Sequence, residues 1–410
     1  MLNKKKLLII SLIATLLLGL TYPFNFVASP HTLKGEIPIG VVISATVDAG
    51  QIIPMGKIAE EEINEFLKLA GVPAKIKFLY EDAEGSPAKA LEKVQSLYAR
   101  GVKVILCISW SSQVKAVMGY ANAHHILIFS CGSTSPLLAI PDDFVFRLVP
   151  DDTKQGKALA RALTSKGIKA VVVIQVGDAW GDGLYKAFSE RYKELGGVIY
   201  DRIRFSPEAT EFSAEVSRAA TKIKEAISKY GKDKVAIELM CMADHATIIQ
   251  LEAKNYPILL EVPWFGSDGY CMTTPILKQA GKYAAKVKHI CPWYSFSRTS
   301  KYLRLREKFV KATGYDVQNF AVTFYDTAWI TVLSMLIVGK YDADAIKSVL
   351  LKVADMYFGA TGWTKLNEAG DRAGGDYDLY EIVEEDGTYK WKIVGHYSCV
   401  TDSVTWYREP

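Results

Sequence analysis

The 410-residue sequence lacks most of the features that reveal a function directly. It has no excess of charge of one sign: 49 Lys and Arg stand against 45 Asp and Glu, a net +4. Nucleic-acid binders usually show clustered basic residues and a higher pI, so that class of partner is excluded. Histidine is scarce. The six histidines include His124-His125 and the Asp244-His245 pair, and none belongs to a cluster with ligand spacing. No metal site is expected from them, and surface or capping roles fit better. Cysteine is scarce too, at positions 107, 131, 241, 271, 291 and 399. No CxxC pair occurs, which argues against a zinc ribbon. A phosphate loop is missing: five residues separate Gly50 from Gly56-Lys57, and Ile58 stands where a magnesium-binding hydroxyl is required. The turn Gly177-Asp178-Ala179-Trp180-Gly181-Asp182-Gly183 follows a strand-like run but lacks dinucleotide spacing. No cofactor is therefore expected. Repeats and low-complexity linkers are also absent.

What is present is apolar content. Half of the residues are hydrophobic, enough to offset chain entropy on folding and to exclude a disordered chain. Single cores stop growing at roughly 250–300 residues, so two lobes are expected. The N-terminus accounts for most of the net charge. Lys4, Lys5 and Lys6 precede an apolar run from Leu7 to Leu20, followed by Tyr22, Pro23, Ala28 and Ser29. Residues 1–30 read as a signal peptide or an uncleaved membrane anchor. Without them the charge is 46 − 45 = +1. The chain is thus expected to be exported, periplasmic or extracellular, touching the membrane only through this segment. No cysteine among the first 100 residues offers a site for lipid attachment. In an exported chain the six cysteines permit up to three disulfides, and burial as small hydrophobes is the other reading. The apolar stretch Ala328–Val338 is short and reads as a buried helix.

Along the chain, strand and helix signals alternate. Strand-like runs at Ile37–Ser44, Ile76–Tyr80, Val104–Ile108, Ile126–Ser130 and Val145–Val149 are separated by helical patterns. One helix opens with Ser86-Pro87 and closes at Gly101, a full set of boundary signals. After Pro150 the alternation restarts, with strands at Ala170–Val176, Val198–Phe205, Val235–Met240, near Trp264 and at Val287–Cys291. These runs are continuous and β-branched rather than alternating, as in parallel strands covered on both faces. The fold class is α/β, doubly wound, and built twice. Three helices follow, at Lys301–Lys311, Ala321–Val338 and Ala343–Val353. Asp386-Gly387 then signals a hairpin between Leu379–Val383 and Lys390–Val394.

Ser130-Cys131-Gly132-Ser133 is the most enzyme-like feature, because a nucleophile on a strand-to-helix turn would look like this. Phe129 stands where a nucleophile elbow needs glycine, and no partnered histidine is evident, so no catalytic residue is assigned. Hydroxyls at strand C-terminal ends stand out instead: Ser109, Ser111 and Ser112 after one strand, Ser133, Thr134 and Ser135 after the next. Ligands of open α/β sheets bind outside these ends, where helix N-termini favour an anion such as a carboxylate. In the second half, Asp268 of Ser267-Asp268-Gly269-Tyr270 is a candidate to receive an ammonium group, or else part of an Asp-Gly turn.

Several short segments, in order, resemble the solute-binding proteins of branched-chain amino-acid uptake, the Leu/Ile/Val-binding type. They are Tyr80-Glu81-Asp82-Ala83, Ser111-Ser112, Gly132-Ser133-Thr134-Ser135-Pro136, Phe146-Arg147-Leu148-Val149-Pro150-Asp151-Asp152, Trp180-Gly181-Asp182-Gly183-Leu184, Gly266-Ser267-Asp268-Gly269, Tyr325-Asp326 and Gly359-Ala360-Thr361-Gly362. The resemblance runs from about Ile37 to about Trp391 and implies the type I periplasmic-binding-protein fold, two lobes joined by three crossovers. It implies residues 36–150 with 292–359 as one lobe and 151–291 with 360–410 as the other. Ser111 and Thr134, helped by backbone N–H groups, would hold an α-carboxylate, with Ser112 and Ser133 also among the ligand-binding residues. The backbone at Gly132 and the Asp268 carboxylate, beside Gly269, would hold an α-ammonium. Trp180 would lie against the ligand, and Met242, where such proteins are Tyr-rich, would widen the pocket for another side chain. The implied function is capture of an amino acid or similar zwitterion in a cleft between lobes and delivery to the permease subunits of an ABC transporter, by a monomer without enzymatic activity. A sensor ectodomain is the alternative, and a Cys-dependent hydrolase a third.

Overall fold

In the computed structural model, residues 33–407 are described, and residues 1–30, expected to be a signal peptide or membrane anchor, lie outside them. The first stretch runs β1 (Gly35–Ile43), α1 (Ala49–Ala70), β2 (Ala74–Asp82), α2 (Pro87–Ala99), β3 (Val104–Leu106), α3 (Ser111–Ala123), β4 (Leu127–Ser130) and β5 (Val145–Pro150). The second runs α4 (Asp152–Ser165), β6 (Ala170–Val176), α5 (Ala179–Glu194), β7 (Val198–Phe205), α6 (Ser213–Tyr230), β8 (Val235–Met240), α7 (Ala243–Glu252), β9 (Trp264–Gly266), α8 (Thr274–Lys286) and β10 (Ile290–Ser295). Then come α9 (Ser300–Thr313), α10 (Asn319–Val338) and α11 (Ala343–Met356), short strands β11 (Phe358–Gly359), β12 (Gly362–Trp363) and β13 (Asp371–Arg372), and finally β14 (Asp376–Glu385), β15 (Thr388–Ser398) and β16 (Ser403–Trp406).

Local chemistry explains many of these limits. Ser86 Oγ accepts the Lys89 N–H at 3.3 Å and Pro87 occupies the first position of α2. Gly71 ends α1 with φ of 75°, a conformation that is cheap only for glycine. Helix α1 carries Pro54 inside it. Helix α10 is long and apolar enough to cross a membrane, but 72% of its most apolar window is buried inside the protein, as expected for a core helix.

Two compact units result. The first comprises the described residues up to Ser133, Ala139–Val149 and Ser297–Ala373; the second Thr134–Leu138, Pro150–Phe296 and the C-terminal residues from Gly374. The first has a six-stranded sheet in the order β13-β5-β4-β3-β1-β2, with β1 to β5 parallel. The second has an eight-stranded sheet, β16-β15-β14-β10-β9-β8-β6-β7, whose β6 to β10 are parallel and whose last three strands run antiparallel. All seven residues of β6 are buried, which is why the strand reads as one unbroken apolar run. Asp386 and Gly387 have φ of 53° and 72° and join β14 to β15, the two-residue turn that their sequence signals.

The units differ from the expected lobes in three places, the first being that Thr134–Leu138 belongs to the second unit. The return to the first unit falls after Phe296 rather than near 291, and the last exit falls after Ala373 rather than at 359. Hydrogen bonds hold the extra stretch. Asp326 accepts the N–H groups of Ala360 and Thr361, both at 2.8 Å, and the Thr361 hydroxyl at 2.7 Å. Arg372 donates to the carbonyls of Thr361 and Trp363 at 2.7 and 2.8 Å. Asp371 forms a buried bidentate pair with Arg147 at 2.5 and 2.6 Å. Such side chain-to-loop bonds have no periodic signal, so they are not visible in the sequence pattern.

Candidate functional site

In the first unit the C-terminal ends of β1, β3 and β4 are tied by serine hydroxyls. Ser44, after β1, accepts the N–H groups of Ser109 and Trp110 at 2.7 and 3.2 Å, and its carbonyl accepts the Gln113 amide at 2.8 Å. Ser130 donates to the Ile108 carbonyl and accepts the N–H groups of Gly132 and Ser133 at 3.3 and 3.0 Å. Ser111 and Ser133 meet hydroxyl to hydroxyl at 3.0 Å, both buried, and Ser112 beside them is half-buried. Gly132 is required here, because a Cβ on it would lie 2.7 Å from that of Ser109. Ser111 and Ser112 open α3, and Trp110 ahead of them offers no capping oxygen. The positive end of the helix dipole thus lies at the serine cluster, where a carboxylate is favoured.

The second unit holds a buried acidic cluster. Thr134 donates its hydroxyl to Asp152 at 2.8 Å, and its carbonyl accepts the Asp152 N–H at 2.8 Å. Gln155 donates its amide to the other Asp152 oxygen at 2.6 Å and accepts the Asp268 N–H at 3.0 Å. Burial raises the Asp268 carboxyl to about 6, against the lowering effect of these hydrogen bonds. Burial also pushes Asp152 well up, and the negative charge of Asp268 adds to it. The Tyr377 hydroxyl, electrostatically linked to both acids, and the Ser267 hydroxyl are buried without a hydrogen-bond partner. Two buried acids with raised pKa values, and the unused Tyr377 hydroxyl that feels both, form an environment that a cation with several N–H donors would satisfy.

The nine residues singled out in the sequence divide between the units. Ser111, Ser112, Gly132 and Ser133 form the serine cluster, while Thr134, Trp180, Met242, Asp268 and Gly269 lie in the second unit. Thr134 is bonded to Asp152 rather than free to serve a carboxylate. Trp180 is 5% exposed and belongs to the second unit's core. A Cβ on Gly269 would lie 2.7 Å from its ring, so the indole forms the wall behind Gly269. The Asp178 carboxylate fixes that turn by accepting the N–H groups of Trp180 and Gly181 at 3.0 and 2.8 Å. Met242 is half-buried ahead of α7.

Asp152, Gln155 and Tyr377 were not foreseen. Asp151-Asp152 reads as a helix cap, and Asp151 is one, accepting the Thr153 N–H at 2.8 Å. The second acid had no capping task left, and that was the available signal. Cys131 is fully buried with its sulfur against Cys107 and Ser109, an inaccessible place for a nucleophile. His125 pairs with Asp344 at 2.7 Å on the surface, and His124 stacks on Tyr120. Among the described residues, no group of three or more His, Cys, Asp or Glu is placed to hold a metal ion.

Two α/β units with polar clusters at strand C-termini are an architecture found in ligand-binding proteins. The chain belongs to the family of receptor ligand-binding regions, whose model matches residues 57–385. It is 33% identical over 368 residues to an uncharacterized protein of Methanocaldococcus jannaschii, covering 85% of this chain and 86% of that one. It is 27% identical over 145 residues to glutamate receptor 2.4 of Arabidopsis thaliana, covering 35% of this chain and 16% of the receptor. The crystal structure of the leucine-binding protein LivK of Thermotoga maritima superposes with a TM-score of 0.72 at 19% identity, covering 87% of this chain and 97% of that one. The fold is that of type I periplasmic binding proteins.

Proposed function

We propose that this protein binds an amino acid, or a similar small zwitterion, as an exported solute-binding protein that hands its ligand to an ABC permease. The observation that carries the reading is the buried Asp152–Asp268 pair with the unpartnered hydroxyls of Ser267 and Tyr377. An ammonium group would let both acids ionise and would use the idle oxygens. The serine cluster and the α3 N-terminus suit the carboxylate of the same molecule. The name of the Thermotoga structure, a leucine-binding protein, supports an amino acid as ligand class. Met242 in the second unit suits a different or larger side chain. In this reading the protein acts as a monomer, binds reversibly and turns nothing over.

The experiment is native mass spectrometry of the purified protein, followed by calorimetric titration with each standard amino acid. A carried mass matching an amino acid and one-to-one binding are expected. Failure of every amino acid to bind, with no carried zwitterion, would overturn the reading. Similarity to part of a plant glutamate receptor favours a second reading, a sensor ectodomain, which shares the binding step but not the delivery. Co-purification with a permease, or with a signalling membrane protein, distinguishes the two.

A further inference from the structure

Cys107 and Cys131 follow the adjacent parallel strands β3 and β4, whose residues Leu106 and Phe129 are paired. Their sulfurs are 2.7 Å apart, closer than two unbonded thiols pack, and both residues are fully buried. The Cys107 N–H reaches the Phe129 carbonyl at 3.2 Å, so the backbones are fixed at this point as well. Cys107 has φ of 73°, a strained value for a residue with a side chain, which persists where the surroundings over-determine it. Ser109 Oγ lies 3.4 Å from the Cys131 sulfur and 3.9 Å from that of Cys107, which leaves the thiols no room to turn apart. Each cysteine leads straight into a turn of the serine cluster: Cys107 to Ser109 and Ser111, Cys131 to Gly132 and Ser133.

We propose that Cys107 and Cys131 form a structural disulfide that closes a 24-residue span and locks together the two turns carrying Ser111 and Ser133. The bond forms by thiol–disulfide exchange with a disulfide oxidant. One cysteine thiolate attacks the oxidant and releases its first thiol. The second cysteine then displaces the other, giving one new S–S bond, two reduced oxidant thiols and no change in total electrons. Oxidation belongs to folding, because burial raises the Cys107 thiol and keeps both sulfurs from oxidants afterwards. The bond is therefore a staple rather than a switch. It goes beyond the ligand reading and does not depend on it.

The test uses the full chain, unfolded and refolded in a buffer of oxidised and reduced glutathione, quenched in acid, denatured and labelled with N-ethylmaleimide. Trypsin without reductant should yield the segment 104–115 joined to the segment 116–147, each with a single cysteine. Dithiothreitol should separate the two. Recovery of both segments carrying maleimide, or of either joined to another cysteine, would overturn the proposal. Refolding with dithiothreitol present should also lower the melting midpoint of the wild type but not that of Cys107→Ala/Cys131→Ala. An equal drop in both proteins would assign the effect to other cysteines and overturn the staple.

Discussion

The serine cluster of the first unit and the acidic cluster of the second solve the same problem in opposite ways. The serine cluster is neutral, and its hydroxyls already bond one another and the backbone. Left empty, it costs little. The acidic cluster is unsatisfied when empty: two carboxyls compete for protons and two hydroxyls lack partners. Its stability therefore depends on what occupies it. A preorganised donor set gives orientation at small energetic cost, whereas a buried acid pair gives affinity by being relieved.

The largest expected effect lies at Asp268. Asp268→Ala should weaken amino-acid binding by about 2–5 kcal/mol, as when one partner of a buried charge pair is removed. Calorimetry with unchanged affinity would remove Asp268 from the ammonium role and collapse the contrast between the clusters. The same residue sets a pH dependence with a definite sign. Its folded pKa, about 6, lies above the ordinary value of 3.8. The folded state then holds the proton more tightly than the unfolded chain, so the extra stability is present below about pH 4 and is lost as pH rises through about 6. Melting of the ligand-free protein across pH 4 to 7 should show this fall, and Asp268→Asn should make it shallower while buried Asp152, also raised, keeps the remainder. A cationic ligand should reverse the trend by favouring the ionised acids.

The alternation of strands and helices was legible because continuous apolar runs and helix caps are local signals. Ser86-Pro87 and Asp386-Gly387 each specify their own geometry. The position of the polar clusters along each unit was partly legible for the same reason: Ser111, Ser133 and Asp268 sit in turns that follow recognisable strands. The partners of Asp268 were not. Gln155 and Tyr377 reach the cluster from α4 and β14, more than 100 residues away along the chain. The burial of Trp180 was not legible, because a Gly/Asp-rich turn looks exposed. Its ring instead occupies the space that Gly269 leaves by having no side chain.

Glu238 tests whether buried acidity in the second unit is general or confined to the site. It lies on β8 with both carboxylate oxygens buried and unpartnered, and burial pushes its pKa well up. Glu238→Leu removes the unpaired acid and should stabilise the protein by about 1–3 kcal/mol, the usual penalty for an unsatisfied buried polar group. Denaturant melts would measure this. Ligand affinity should not change. A parallel loss of affinity would mean that the acidic cluster extends to β8 and that Asp268 is one member of a larger field.

The smallest effect belongs to the serine cluster. Removing one neutral hydroxyl from a bonded pair should cost about 0.5–1.5 kcal/mol. Ser133→Ala and Ser111→Ala should each weaken binding by that amount, with calorimetry as the readout. Because the two hydroxyls bond each other, the double variant should lose less than the sum of the singles. A ligand lacking its carboxylate makes the distinction sharper: it should bind the wild type and Ser133→Ala equally, yet still lose most of its affinity with Asp268→Ala. If the serine variants instead matched Asp268→Ala in size, the neutral cluster would be a principal source of affinity, and the division of labour between the two units would be wrong.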